Sequence, residues 1–253
     1  IYFIINQLNS YIMASETGHA INVANFLELT GFVGGFGVKY NPSKKVYEHP
    51  NLLLIHTAAK KAVKNVIDVK TPYKTIINTR ADEFADVPEY ATQLINALES
   101  SDASPRTIED AKVFLRKIRG ERATKKKEPE PGEPTPVTHS ASQTSFDQII
   151  QHMTGIESIL KNETSYAPNE TELRIDAVND KIERLNTTND AVLLIEESIS
   201  NARLQRDNIL YNNPDALTKV AAGVKIYTKS VFKAKSPEFK QISGIPFRIY
   251  KKD

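Results

Sequence analysis

Five histidines, His19, His49, His56, His139 and His152, are the residues best suited to metal ligation or proton transfer. A metallopeptidase helix sets two histidines around a Glu-x-x step, and no His-Glu-x-x-His occurs here. Glu16-Thr17-Gly18-His19 is a single Glu-x-x-His. A di-metal centre in a helical bundle takes two such pairs on facing helices plus further carboxylates, so no metal role is expected for it. His49 and His56 lie seven apart and can share a helix face, where boundary positions are the expectation. Covalent catalysis needs a nucleophile beside a base. The chain has no cysteine, which removes thiolate nucleophiles, disulfides and cysteine-ligated zinc or iron–sulfur clusters. Its serines gather at helix caps and in the central stretch, and Gly-x-Ser-x-Gly is absent. Glu196-Glu197 reads as a solvated helix face. No catalytic, cofactor or metal residue is assigned, and the chain is expected to be non-enzymatic.

Two arginines have a better claim. Asn78-Thr79-Arg80 and Asn201-Ala202-Arg203 recur in matching order along the chain. Arg80 and Arg203 are therefore the candidate ligand-binding residues, each able to hold an anion between helices. The commoner fate of such an arginine is to pair with a carboxylate or to snorkel, and that reading carries more weight. Lys60, Lys61 and Lys64 form a basic face, and Arg248, Lys251 and Lys252 add charge near the end. Glu170, Glu172, Asp176, Asp180 and Glu183 balance them, for a net charge of +2. That balance gives no strong nucleic-acid signal. The run Gly31-Phe32-Val33-Gly34-Gly35-Phe36-Gly37 lacks the Lys-Ser/Thr of a phosphate loop. Asn162-Glu163-Thr164, Asn169-Glu170-Thr171 and Asn186-Thr187-Thr188 match the glycosylation triplet, which carries no weight without a secretory context.

Helices must position these residues. Leu52, Ile55, Ala59, Ala62, Val66 and Val69 recur at helical spacing, followed by Tyr73, Ile77, Ala81 and Phe84, then Val87, Tyr90, Leu94 and Leu98. Later stripes run Ile175, Val178, Ile182 and Leu185; Val192, Ile195, Ile199, Ala202 and Ile209, with Arg206 interrupting; and Leu217, Val220, Val224, Tyr227 and Val231. Only Ile245 to Tyr250 suggests an extended piece. Thr71-Pro72, Ser104-Pro105, Asn213-Pro214 and Ser236-Pro237 each set a capping residue before a proline, which suits a helix start. Turns are expected at Asn41-Pro42-Ser43, Ala167-Pro168-Asn169 and Thr187-Thr188-Asn189. A helix opening near Phe26 is the poorest fit, since each glycine inside it costs about 1 kcal/mol against alanine. Close packing or a local break is expected there. No apolar run approaches the roughly 20 residues of a membrane span.

Landmarks recur across the two halves in order. Phe26 to Tyr40-Asn41-Pro42 parallels Phe146 to Tyr166-Ala167-Pro168. Ser104-Pro105 parallels Ser236-Pro237, and Phe114 to Ile118-Arg119-Gly120 parallels Phe239 to Ile242-Ser243-Gly244. Tyr40 and Tyr166 are expected to pack their turns against the helices. Between the halves, residues 121–145 carry Pro129, Pro131, Pro134 and Pro136 among lysines and glutamates, the composition of an extended spacer. The 253 residues thus read as an N-terminal segment 1–19, a helical bundle 20–120, a Pro-rich linker 121–145 and a second bundle 146–253. Met13 offers a true start, leaving residues 1–12 as a remnant. A signal-peptide tail is disfavoured, because no basic n-region or small-x-small site is present.

The order Tyr-x-Pro, Asn-x-Arg and a late Phe…Gly around a Pro-rich linker resembles an uncharacterised family of bacterial proteins with a duplicated helical-bundle unit. The resemblance covers roughly residues 20–250 and implies a fold, with no activity, cofactor or site. The expectation is therefore all-α, with two tandem antiparallel (up-and-down) four-helix-bundle-like domains. The expected function is a scaffold that presents two similar surfaces to a protein partner. The alternative is an anion-binding protein using pockets around Arg80 and Arg203.

Overall fold

The computed structural model describes residues 16–121 and 144–249, and every regular element among them is helical. Residues 1–12, His139, Lys251, Lys252 and most of the expected linker lie outside the described residues. Helix α1 spans Thr17–Gly34 and is followed by 3-10 turns at Gly37–Lys39 and Lys45–Tyr47. Then come α2 (His49–Lys70), α3 (Tyr73–Ala85), α4 (Val87–Glu99) and α5 (Pro105–Ile118). The later part holds α6 (Phe146–Asn162), a 3-10 turn (Thr171–Leu173) and α7 (Ile175–Asp207). A π-helical segment (Asn208–Asn212), α8 (Leu217–Phe232) and α9 (Pro237–Ser243) complete it.

Helix starts at Ser104-Pro105 and Ser236-Pro237 are as the sequence predicts. The Ser104 and Ser236 hydroxyls accept from the backbone N–H of Thr107 and Phe239, each at 3.1 Å. Four local expectations differ from the structure. Thr71-Pro72 does not cap α3: Thr71 ends α2 in helical conformation, and its hydroxyl donates back to Ile67 O at 2.8 Å. Asn213-Pro214 does not open α8; Pro214 lies in a turn and Ala216 is the residue before the helix. Thr187-Thr188-Asn189 does not interrupt α7. The Thr188 hydroxyl donates to Arg184 O at 2.9 Å, so it is satisfied inside the helix and has no need of a turn. Helix α1 begins at Thr17, well before Phe26, and keeps Gly31 and Gly34 helical. At Gly34 the His49 side chain comes close: a Cβ there would stand 2.9 Å from His49 Nε2. The chain then leaves the helix through Gly37, at φ +67°.

The tail Ile245–Ile249 has no regular secondary structure. Asn22 holds it: its Nδ2 donates to Arg248 O at 2.7 Å, and Arg248 N donates to Asn22 Oδ1 at 3.1 Å.

The chain divides into two compact units. The first is Lys74–Leu194; the second takes the residues up to Tyr73 together with Ile195 onward. Each unit therefore draws elements from both sides of residues 121–145. The first unit combines α3, α4 and α5 with α6 and the front of α7. Its core joins Val87, Leu94 and Leu98 to Met153, Ile156 and Val178. The second combines α1 and α2 with the rear of α7, α8 and α9. Its core joins Phe26, Leu29 and Leu52 to Leu210, Leu217 and Val224.

Burial recurs at fixed separations. The step from Tyr40 to Tyr166 also carries buried Leu52 to Val178, Ala59 to Leu185, Val66 to Val192 and Tyr73 to Ile199. A second step carries Val23 to Ile150, Phe26 to Met153, Leu29 to Ile156 and Val33 to Leu160. A third carries Val87 to Leu217, Ala91 to Ala221 and Leu94 to Val224. Tyr40 and Tyr166 use the same bond: each hydroxyl donates to the carbonyl seven residues on, Tyr47 O at 2.9 Å and Leu173 O at 2.7 Å. Burial raises the proton affinity of both phenols, Tyr166 to about 12, so both remain donors.

Candidate functional site

In the first unit, Arg80 is held by an amide and a ring. Its Nη1 donates to Asn189 Oδ1 at 3.2 Å, and its guanidinium carbon sits 4.1 Å from the Phe146 ring centroid. Asn189 passes the contact on, donating through Nδ2 to Asp147 Oδ1 at 2.8 Å. Phe146 meets Phe84 edge-on with centroids 4.7 Å apart. Arg80 thus stacks on an aromatic face and joins a hydrogen-bonded relay that ends on the Asp147 carboxylate.

The step from Tyr40 to Tyr166 pairs Arg80 with Arg206, whereas the Asn-x-Arg landmark pairs it with Arg203. Arg206, read from sequence as an interruption of an apolar stripe, is buried and anchors a polar cluster in the second unit. It donates through Nη1 to Glu16 Oε2, and through Nε to Asp207 Oδ1 at 2.9 Å. Both side chains of the Glu16–Arg206 pair are more than nine-tenths buried. Glu16, His19 and Asn22 follow one another at three-residue spacing at the start of α1 and so face the same way. His19 Nδ1 lies 2.8 Å from the Tyr211 hydroxyl, which accepts from Asn22 Nδ2 at 3.1 Å. Which of His19 and Tyr211 donates follows the histidine's tautomer. Tyr211 belongs to the π-helical segment, and such one-turn widenings often re-aim side chains at functional places. Here Thr218 Oγ1 donates to Leu210 O at 2.9 Å and steadies the turn.

Arg203 is also buried in this unit. Burial lowers the proton affinity of His19, and Arg206 and then Arg203 lower it further, against Glu16 and Asp207. Burial likewise lowers Lys70, with Arg203 adding to the effect. The cluster is thus an internal ion-pair network with a histidine of lowered proton affinity at its edge. Sequence reading reached Arg203 but not Arg206. It set Glu16 and His19 aside because the helix was expected to begin later. The signal was the Glu16–His19–Asn22 spacing, continuous with Val23 and Phe26.

Elsewhere in the first unit, Lys181 is buried within an apolar stripe. It donates to Asp86 Oδ1 at 2.8 Å and to Glu83 O at 2.9 Å. A shallow depression of about 450 Å³ lies on α4 and α5, lined by Pro88, Glu89, Thr92, Gln93 and Arg119. Arg119 Nη2 there donates to Thr92 Oγ1 at 2.8 Å. Among the described residues no group of three His, Asp or Glu could hold a metal ion. No described helix is long and apolar enough to cross a membrane. No family model, no curated protein and no solved structure matches the chain. Function must be read from this chain's own side chains.

Proposed function

We propose that the chain is a non-enzymatic interaction protein: two helical units built from a duplicated sequence, the Pro-rich stretch 121–145 falling within the span of the first, with exposed apolar residues on α1 and α2 of the second for a protein partner. The recurring burial steps and the matched Tyr40 and Tyr166 bonds support the duplication. The observation that carries the functional reading is the outward side of α1 and α2. Leu54 is 67% exposed, Ile21 50%, Leu27 46% and Leu53 41%. Large apolar groups exposed on two neighbouring helices, with no demand from the core, are what an interaction surface requires. The test is capture from native extract on the immobilised intact chain, beside a Leu53→Asp/Leu54→Asp variant of equal helicity. A protein retained by the wild type and lost by the variant supports the reading. Identical retention by both contradicts it.

A second reading, anion binding, is supported by buried Arg203, which stands close enough to lower the proton affinity of both His19 and Lys70. Arg80 contributes less to it, because Phe146 and Asn189 already occupy its guanidinium. Phosphate or sulfate would raise the melting temperature of the wild type and leave Arg203→Gln unmoved. Equal shifts in both would remove this reading.

A further inference from the structure

We propose that the outward face of α1 and α2 is a homodimer interface, covered by the same face of a second copy of this chain. The proposal rests on the reading of that face as a protein-binding surface and names its partner.

The first unit supplies the internal control. The step that pairs Phe26 with Met153 pairs outward Ala20, Ala24, Leu27 and Gly31 with Asp147, Gln151, Thr154 and Ser158. The step that pairs Leu52 with Val178 pairs outward Leu53, Leu54, Thr57 and Ala58 with Asn179, Asp180, Glu183 and Arg184. All sixteen are exposed. At these eight matched positions the first unit is polar and the second largely apolar, whereas further along the same step Ile67 and Asp68 pair with exposed Leu193 and Leu194 of α7. The fold does not require the apolar choice, so something outside the unit must.

Size, shape and charge favour a second copy. Helices of 18 and 22 residues are about 27 and 33 Å long at 1.5 Å per residue. Packed about 10 Å apart, they offer a face of roughly 600 Å² before side-chain relief. A standard interface buries about 800 Å² per partner, so the face matches one side of a dimer. Ala20, Ala24 and Gly31 let another helix approach closely. The two helices run antiparallel: Gly34, at the end of α1, abuts His49 at the start of α2, and Lys70 at the other end feels Glu16. The single carboxylate on the outward side of α1, Glu28, lies in its later half. Lys60 and Lys61 lie in the later half of α2, beside the opposite end of α1, together with Lys64, which already pairs with Asp68. A two-fold axis that sets α1 antiparallel to its copy brings each Glu28 toward the other copy's lysines. It also holds the two lysine groups at opposite ends. An isologous interface demands this self-complementarity.

Sedimentation equilibrium of the intact chain tests the proposal, with Leu27→Glu and the first-unit control Thr154→Glu beside it. Circular dichroism confirms equal folding of all three. The wild type and Thr154→Glu should sediment as dimers. Leu27→Glu should weaken association at least about tenfold, the equivalent of 1.4 kcal/mol. A wild type that is monomeric up to about 100 μM, well above the micromolar range of a modest interface, overturns the proposal. So does a Leu27→Glu dimer as tight as the wild type. A monomer that pellets with phosphatidylglycerol vesicles through this face also overturns it, in favour of a lipid surface. If the wild type is monomeric yet the Leu53/Leu54 variant still loses a captured protein, the dimer falls and the protein-binding reading stands. If neither effect is seen, both fall.

Discussion

Partial burial, and then the nearby Arg206, disfavour the charged form of His19. Its folded proton affinity lies below the usual 6.5, so the unfolded chain binds the proton more readily. Its contribution to stability is complete above about pH 6.5 and is lost as pH falls below that value. His19→Gln keeps a hydrogen-bonding partner for Tyr211 and removes the titration. Urea denaturation between pH 7 and pH 5 should therefore show a shallower loss of stability in His19→Gln than in the wild type; parallel curves would remove His19 from the account. Arg206 faces a harsher test. Arg206→Met leaves the Glu16 carboxylate buried without its counter-ion and should cost about 3–5 kcal/mol in the same assay. An exposed pair would lose under 1 kcal/mol, so a small loss would show that the pair is wet. Neither residue was recognisable as a site from sequence. An arginine in an apolar stripe looks like a fault in the stripe until its partner from a distant helix is known.

Helix starts and stripes were legible wherever the cause is local. Ser104 caps α5 through a bond that the Ser-Pro pair announces, and Ser104→Ala should cost about 1 kcal/mol. Apolar spacing correctly located α2, α4 and α8, because a 3.6-residue period needs no knowledge of the partner. What failed was punctuation. Thr187-Thr188-Asn189 has turn composition, yet Thr188 bonds back to Arg184 and buried Asn189 bridges Arg80 to Asp147. Tertiary contacts decided that segment, and they are invisible to local composition. The tyrosines were half legible: each was expected at its turn, but not the hydroxyl bond that closes it. Tyr166→Phe removes the donor to Leu173 O and should lower stability by about 0.5–1.5 kcal/mol. Tyr40→Phe should behave alike, and a difference of several kcal/mol between them would argue against equivalent roles.

At the scale of the whole molecule, the sequence displays two halves and the structure displays two units, and their boundaries differ. The landmark order pointed to two related halves, and buried positions recur at regular separations, although the burial steps pair Phe26 with Met153 and Arg80 with Arg206 rather than with the landmarks Phe146 and Arg203. The order could not reveal which half supplies the partner for each stripe, since like stripes can pair within a half or across. The structure pairs them across. Tyr90 donates to Glu172 O at 2.7 Å in the first unit, and Arg206 reaches Glu16 in the second. The contrast between the matched outward positions of α1 and α2 and those of α6 and α7 depends on this assignment. So does the interaction surface drawn from it. A site-specific protease sequence placed within residues 122–143 tests it most directly. After cleavage the two pieces should elute together as one folded species and separate only in denaturant, because each unit needs both. Two pieces that part under native conditions, each unfolding cooperatively by itself, would contradict it.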